Sequence, residues 1–178
     1  MKRLKICFMG GSQAGIIGAL TLLSAGHRII SAVSYYKELD DVLKRFNIPI
    51  YSNVKSSCFL EALKKSDLLI SVHGREIIDE KYLVLPKLCC VNVHPYLYKY
   101  KGARPVERAI KEKNFRASVG VHIMGKEVDG GDVLIEEFVS VKGLNTIDGI
   151  YNKLYPYYSL ALLKALNIIA KGLKNKNE

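Results

Sequence analysis

The chain contains no tryptophan, five prolines and four cysteines in 178 residues, and it is short of acid: 17 Asp and Glu against 27 Lys and Arg. Cys7, Cys58, Cys89 and Cys90 show no CxxC spacing and no histidine pair at finger spacing, which excludes the common structural zinc patterns. Adjacent Cys89 and Cys90 would point to opposite faces of a strand and cannot easily share one metal. No metal is expected, and the thiols read as reduced, mostly buried groups of a cytoplasmic protein. Long apolar runs are missing too. Stretches such as "LLIS" and "IIGALTLL" are short and broken, so no membrane span is expected. The opening "MKRLKICFMGG" is too briefly apolar for a cleavable leader. No basic run interleaves with aromatics, which argues against a single-strand nucleic-acid groove. With 49% hydrophobic residues and no repeat or linker, one domain over 1–178 is expected, with no C-terminal accessory domain.

What is present is positive charge. The formal net charge of +10 favours anionic partners, either nucleic acid or a small phosphorylated molecule. Most of these lysines are scattered on polar helix faces or lie in the tail "KGLKNKNE". They read as a solvated surface and a frayed end.

Strand and helix patterns alternate along the first half. "LKICFMG", "RIISAVS", "IPIYS", "DLLISV" and "KLCCVNVH" read as strands, the last entered through Pro86. Between them "SQAGIIGALTLLSAG", "KELDDVLKRFN" and the serine-capped "SSCFLEALKKS" have helical periodicity. This cadence predicts an α/β fold with a doubly wound, mostly parallel sheet. After His94 a long loop, "PYLYKYKGARP", leads to a helix "VERAIKEKN". The runs "ASVGVHIM" and "DVLIEEFVSV" follow, joined by "GKEVDGG" as a hairpin or tight connection. A closing helix from Thr146 towards Lys171 is expected to kink or break at Pro156.

Strand periodicity places Cys90, Asn92 and His94 on one face and Cys89, Val91 and Val93 on the other. Ligands of open parallel sheets bind at the carboxyl ends of strands, where Asn92 and His94 fall. Alone, an Asn-x-His pair more often satisfies ordinary hydrogen bonds than builds a catalytic centre. The cysteines, flanked by Val and Leu with no basic neighbour on the strand, read as packing. Asp129, between Val128 and two glycines, sits where a close ligand approach or a self-stabilised turn are both open readings. Gly10, Gly11 and Gly15 do not make the dinucleotide spacing, so a nicotinamide site is not indicated. His27 reads as a helix C-terminal residue.

Taken together, "VNVHP", "YKGARPVERAI", "VGVHIM" and "VDGGDVL" resemble the folate-dependent formyltransferases over nearly the whole chain. That family includes glycinamide ribonucleotide formyltransferase, the catalytic domain of methionyl-tRNA formyltransferase and the sugar N-formyltransferases. Its Asn-x-His-Pro strand end matches Asn92, His94 and Pro95, and its Asp-x-Gly element matches Asp129 and Gly131. Gly102 and Pro105 match a Gly-x-x-Pro, and His122 matches a histidine common before the aspartate. The resemblance implies the Rossmann-like formyltransferase fold with a C-terminal hairpin and closing helix. It also implies 10-formyltetrahydrofolate as formyl donor and a primary amine as acceptor.

On that resemblance, Asn92 and imidazolium His94 would donate to the oxyanion, while Asp129 would raise the histidine's pKa and help move a proton. His122 would support them. Gly74, Arg75, Ile77, Ile78, Val128 and Gly130 are the expected folate contacts. Gly11, Ser12, Gln13, Tyr96, Lys101, Gly102 and Arg104 are the expected acceptor contacts.

The loop departs from the family's Ser-Leu-Leu-Pro: Tyr96 stands for the serine and Tyr98 for the second proline. A nucleotide-linked or otherwise phosphorylated amino sugar is the expected acceptor. Glycinamide ribonucleotide, methionyl-tRNA and water (a hydrolase) are alternatives. From another class, a non-catalytic nucleotide- or nucleic-acid-binding Rossmann-like domain would use the basic surface, although nucleic acid is not the expected partner. A homodimer is allowed but not required.

Overall fold

The computed structural model describes residues 3–174. Its centre is one seven-stranded sheet in the order β3-β2-β1-β4-β5-β6-β7. Strands β1 (Lys5–Gly10), β2 (Arg28–Ser34), β3 (Ile50–Tyr51), β4 (Leu68–Val72) and β5 (Cys89–Pro95) run parallel, and β6 (Arg116–Ile123) and β7 (Val133–Ser140) continue antiparallel. All of β4 and all but the first residue of β1 are buried, which explains why the central strands read as continuous apolar runs. Every strand expected from the pattern is present, though β3 is only two residues long.

Helices α1 (Ser12–Ser24), α2 (Lys37–Arg45), α3 (Ser57–Lys65), α4 (Glu80–Leu83), α5 (Pro105–Lys111) and α6 (Ile147–Lys174) cover the sheet. The larger core lies between the sheet, α1 and α6, and collects Val91, Val93, Tyr96, Leu154 and Tyr158. The smaller one holds Cys7, Cys90, Phe59 and Leu69. Burial pushes the thiols of Cys7 and Cys90 up to about 12 and that of Cys89 to about 11, so these three are packing groups. Cys58 is exposed.

Three details differ from expectation. Helix α4 carries no strong periodic signal at four residues and was not anticipated. Ser56 is the N-cap of α3, but its side chain makes no capping bond. His27 follows the end of α1 as expected, its N–H donating to Leu22 O at 3.1 Å, and it is buried, its Nδ1 accepting the Leu4 backbone N–H at 3.3 Å. Helix α6 runs through Pro156 without a break. Its apolar stripe Ile150, Leu154, Tyr158, Ala161, Leu162, Ala165 and Leu166 anchors it on the core. Pro156 and Asn152 both face solvent, where water can serve the carbonyl that proline leaves unpaired. The basic tail expected to fray lies, from residue 175 on, outside the described residues.

The crossover from β1 through α1 goes to one side and that from β4 to the other, so the carboxyl ends of β1 and β4 flank a topological switch point. The loops after β1, β4 and β5 open there, and the connection after antiparallel β6, which leaves beside Cys90, folds back to join them.

Candidate active site

A cleft of about 590 Å³ opens over the ends of β1, β4 and β5. Its floor is built by register. Asn92 lies opposite Ser71 on β4 and opposite His122 on β6, so the Asn92 and His122 side chains share a face. His94, one pleat on, faces the same way.

Asp129 reaches these residues from the connection 124–132, which at nine residues is a lobe rather than the tight turn expected. The lobe is closed by Ile123 N–H donating to Asp132 O at 2.9 Å. Asp129 itself is left-handed, with φ 51°, a conformation that costs about 1–3 kcal/mol for a non-glycine residue. Its hydrogen bonds hold it there. Oδ1 accepts from Asn92 Nδ2 at 3.1 Å and lies 3.2 Å from His122 Nε2. Oδ2 accepts from the Gly102 backbone N–H at 2.7 Å and lies 3.1 Å from His94 Nε2. Gly102 O is 3.0 Å from the same His94 nitrogen. The loop after Pro95 therefore folds back and grips both members of the pair with one residue, its N–H on Asp129 and its carbonyl on His94, at a glycine with φ 78°.

Gly131, the second glycine of the Asp-x-Gly element, passes directly beneath the Ile123 carbonyl, and a Cβ there would overlap that oxygen. The clash is with backbone and cannot be relieved by a rotamer. Gly131→Ala is expected to lower stability by about 2 kcal/mol and to displace Asp129, read as a drop in thermal midpoint together with changed chemical shifts at Asn92 and His94.

The electrostatics follow from this crowding. Burial opposes the Asp129 charge, but the His122 hydrogen bond, the His94 ring and the Gly102 N–H outweigh it and hold the carboxyl well below its usual range. For His94 burial wins. It pulls the imidazole below its ordinary value, although Asp129 and the Gly102 carbonyl pull upward. The expectation of a raised His94 pKa is corrected accordingly: the side chain is only 12% exposed, and desolvation exceeds the attraction of one carboxylate. With Nε2–H engaged by Asp129 and Gly102 O, His94 Nδ1 is buried with no partner among the described residues.

Of the other expected site residues, Gly11, Ser12, Gly74, Arg75, Ile77, Ile78, Gly102, Arg104 and Val128 line the cleft. Four do not. Tyr96 is fully buried in the larger core and turns its hydroxyl to Asn114 O. Gln13 is exposed and donates to the Tyr36 hydroxyl at 3.2 Å. Lys101 is exposed, and its carbonyl accepts from Arg108. Gly130 turns away within the lobe, its N–H donating to Glu127 O. Tyr98 is outside as well, with Phe138 and Arg116 on the face of β6 and β7 that turns away from the larger core. The unusual tyrosines of this loop, Tyr96 and Tyr98, pack against the sheet and do not line the cleft.

Residues that sequence reasoning passed over also contribute. His73, Glu76, Met124 and Tyr151 line the cleft. Glu76 ties the loop after β4 to the neighbouring strands by accepting from the Tyr35 hydroxyl at 2.7 Å and the Val54 N–H at 3.2 Å. His73 ends a strand as His94 does, and that position was the available signal. The cleft is two-sided in character: Ile77, Ile78, Leu83, Met124 and Val128 make one part apolar, while Gly11, Ser12, Arg104 and Tyr151 make another polar.

A doubly wound sheet with a ligand cleft at the ends of its parallel strands is the class that fold and site define. Residues 58–166 match the formyl transferase family, and the chain belongs to it. Among curated relatives, the methionyl-tRNA formyltransferase of Pelotomaculum thermopropionicum is 27% identical over 188 residues, covering 96% of this chain and 60% of that protein. That of Thermotoga maritima is 31% identical over 115 residues, 64% of this chain and 36% of the relative. The bifunctional polymyxin resistance protein ArnA of Wigglesworthia glossinidia brevipalpis is 27% identical, covering 97% and 29%. The chain thus spans 60% or less of the length of these relatives. Among solved structures, phosphoribosylglycinamide formyltransferase from Anaplasma phagocytophilum superposes with a TM-score of 0.80 at 20% identity, covering 96% of this chain and 89% of that one. A formyltetrahydrofolate deformylase from Pseudomonas putida gives 0.72 at 18%, covering 92% and 64%. At these identities the structures speak for the fold.

Proposed function

We propose that the protein is an N-formyltransferase that takes a formyl group from 10-formyltetrahydrofolate and passes it to a primary amine. The observation that carries this reading is the meeting of Asn92, His94 and Asp129 between an apolar and a polar region of one cleft. The apolar lining suits a flat heteroaromatic ring, which Ile77, Ile78, Val128 and the Gly74 backbone would hold, with Arg75 available to a carboxylate. When bound, the folate supplies an activated formyl carbon and a nitrogen leaving group.

The chain's own residues supply the rest. As the amine attacks, Asn92 turns the amide hydrogen that lies beside His122 Nε2, 3.3 Å from Nδ2, to the oxygen on which charge develops. Neutral His94 takes the amine's proton on its free Nδ1 and gives it to the leaving nitrogen. Asp129 stays ionised, fixes the imidazole tautomer and stabilises the transient imidazolium. Its low pKa makes it an anchor rather than a proton carrier, with His122 bracing its other oxygen.

For the acceptor, Gly11, Ser12, Arg104 and Tyr151 suit an anionic group beside a ring, as in a nucleotide-linked amino sugar. A second reading, methionyl-tRNA, is favoured by the curated relatives and by the charge of +10. Purified protein with 10-formyltetrahydrofolate is offered amino-sugar nucleotides, methionyl-tRNA and glycinamide ribonucleotide separately. Release of tetrahydrofolate with an amino-sugar nucleotide alone is the expected result, and release without any acceptor indicates hydrolysis. Silence with every acceptor, together with salt-steep polynucleotide binding indifferent to Asp129, overturns the enzyme reading in favour of a binding domain.

A further inference from the structure

Beside the Asp129 cluster lies a second chain of polar groups, of which the proposed function uses only Ser12. Ser12 Oγ, at the start of α1, is 2.9 Å from His73 Nδ1 at the end of β4. His73 Nε2 is 2.6 Å from the hydroxyl of Tyr158 on α6. The Tyr151 and Tyr158 rings meet the His73 ring edge-on, with centroids 5.4 Å away in each case, and leave it no room to turn. Three elements far apart in sequence are thus joined by two hydrogen bonds.

Their directions follow from counting hydrogens. Burial, with the nearby His94, lowers His73 to about 4, so the ring is neutral and carries one N–H. Tyr158 is 1% exposed, and among the described residues its hydroxyl has no partner but His73. If Nε2 held the proton, the tyrosine hydrogen would be buried without an acceptor, which is costly. Tyr158 O–H therefore donates to Nε2, Nδ1–H donates to Ser12 Oγ, and the Ser12 hydrogen is left over. Among the described residues that hydrogen has no acceptor, and Ser12 lines the cleft.

We propose that Tyr158 locks the tautomer of His73 and so commits the Ser12 hydroxyl to donate into the cleft, where it selects acceptors that present an anionic oxygen. Tyr158 and His73 are positioning residues: they act through Ser12. The inference rests on the acceptor region assigned above, and its first readout needs neither folate nor acceptor.

Long-range proton–nitrogen NMR of the ¹⁵N-labelled protein is expected to show His73 protonated on Nδ1. In Tyr158→Phe, which keeps the ring and removes only the hydroxyl, the proton is expected to move to Nε2 or to divide between the nitrogens. Titration with inorganic phosphate supplies the second readout. Tyr158→Phe and Ser12→Ala should each weaken phosphate about tenfold, and the double variant should be no weaker than Ser12→Ala alone. A wild-type ring protonated on Nε2, or one whose tautomer ignores Tyr158→Phe, overturns the lock. Additive effects of the two substitutions, or no phosphate binding to the wild type, overturn the selection of anionic oxygen. Failure of formyl transfer would show in the acceptor assays and would alter none of these results.

Discussion

Asp129→Asn is expected to reduce formyl transfer at pH 7 by about a thousandfold and to destabilise the fold by about 3 kcal/mol. Both effects have one origin. The carboxylate takes Asn92 and His122 on one oxygen, Gly102 and His94 on the other, while being 8% exposed. An amide keeps one accepting oxygen and turns two hydrogens toward the remaining donors. His94 then loses the charged one of the two partners of its Nε2–H and keeps only the Gly102 carbonyl, and the lobe loses its tether.

Urea denaturation and single-turnover kinetics measure the two losses. Because the folded carboxyl titrates below its unfolded value, its stabilisation is complete above about pH 4 and fades as the pH falls through the folded value. The stability gap between wild type and Asp129→Asn should therefore narrow on acidification. Activity within tenfold of wild type would rule out the carboxylate as the group that orients His94.

His94→Ala and Asn92→Ala are each expected to cost a hundredfold or more in kcat with little change in KM for folate. The pH profile separates the two roles a histidine could take here. With burial depressing the imidazole and its neutral form doing the work, kcat/KM should be full at neutral pH and decline only below 6.5, the ordinary value. Loss of rate as pH rises from 6 to 7 would instead make imidazolium the working form.

The parallel half of the sheet was legible because its strands are short, apolar and separated by helices of clear period. The alternation in β5 was legible for the same reason: period two separates Asn92 and His94 from Val91 and Val93, and the two cores divide along that line. Motif spacing carried the family. The direction of the loop after His94 was not legible. Tyr96 and Tyr98 look like binding residues by position, yet their rings go to opposite faces of the sheet because their hydroxyls find Asn114 O and Arg116 O. Nor could a pattern foretell that His73 would meet Tyr158 across 85 residues of sequence, or that solvent on one side of α6 would spare it a break at Pro156. Such outcomes depend on which surfaces meet in three dimensions, and a one-dimensional period does not encode that.

The grip of Gly102 on both His94 and Asp129 has an evolutionary consequence. Two loops, 96–104 and 124–132, are welded at a single carboxylate, so neither can change length without moving the other. Insertions in one without compensation in the other should be purged, and the two should diversify as a pair. Ser12 and Tyr151 belong to neither loop. On the proposed function, they are the positions at which a descendant of this chain would exchange one acceptor for another while the formyl chemistry stays intact.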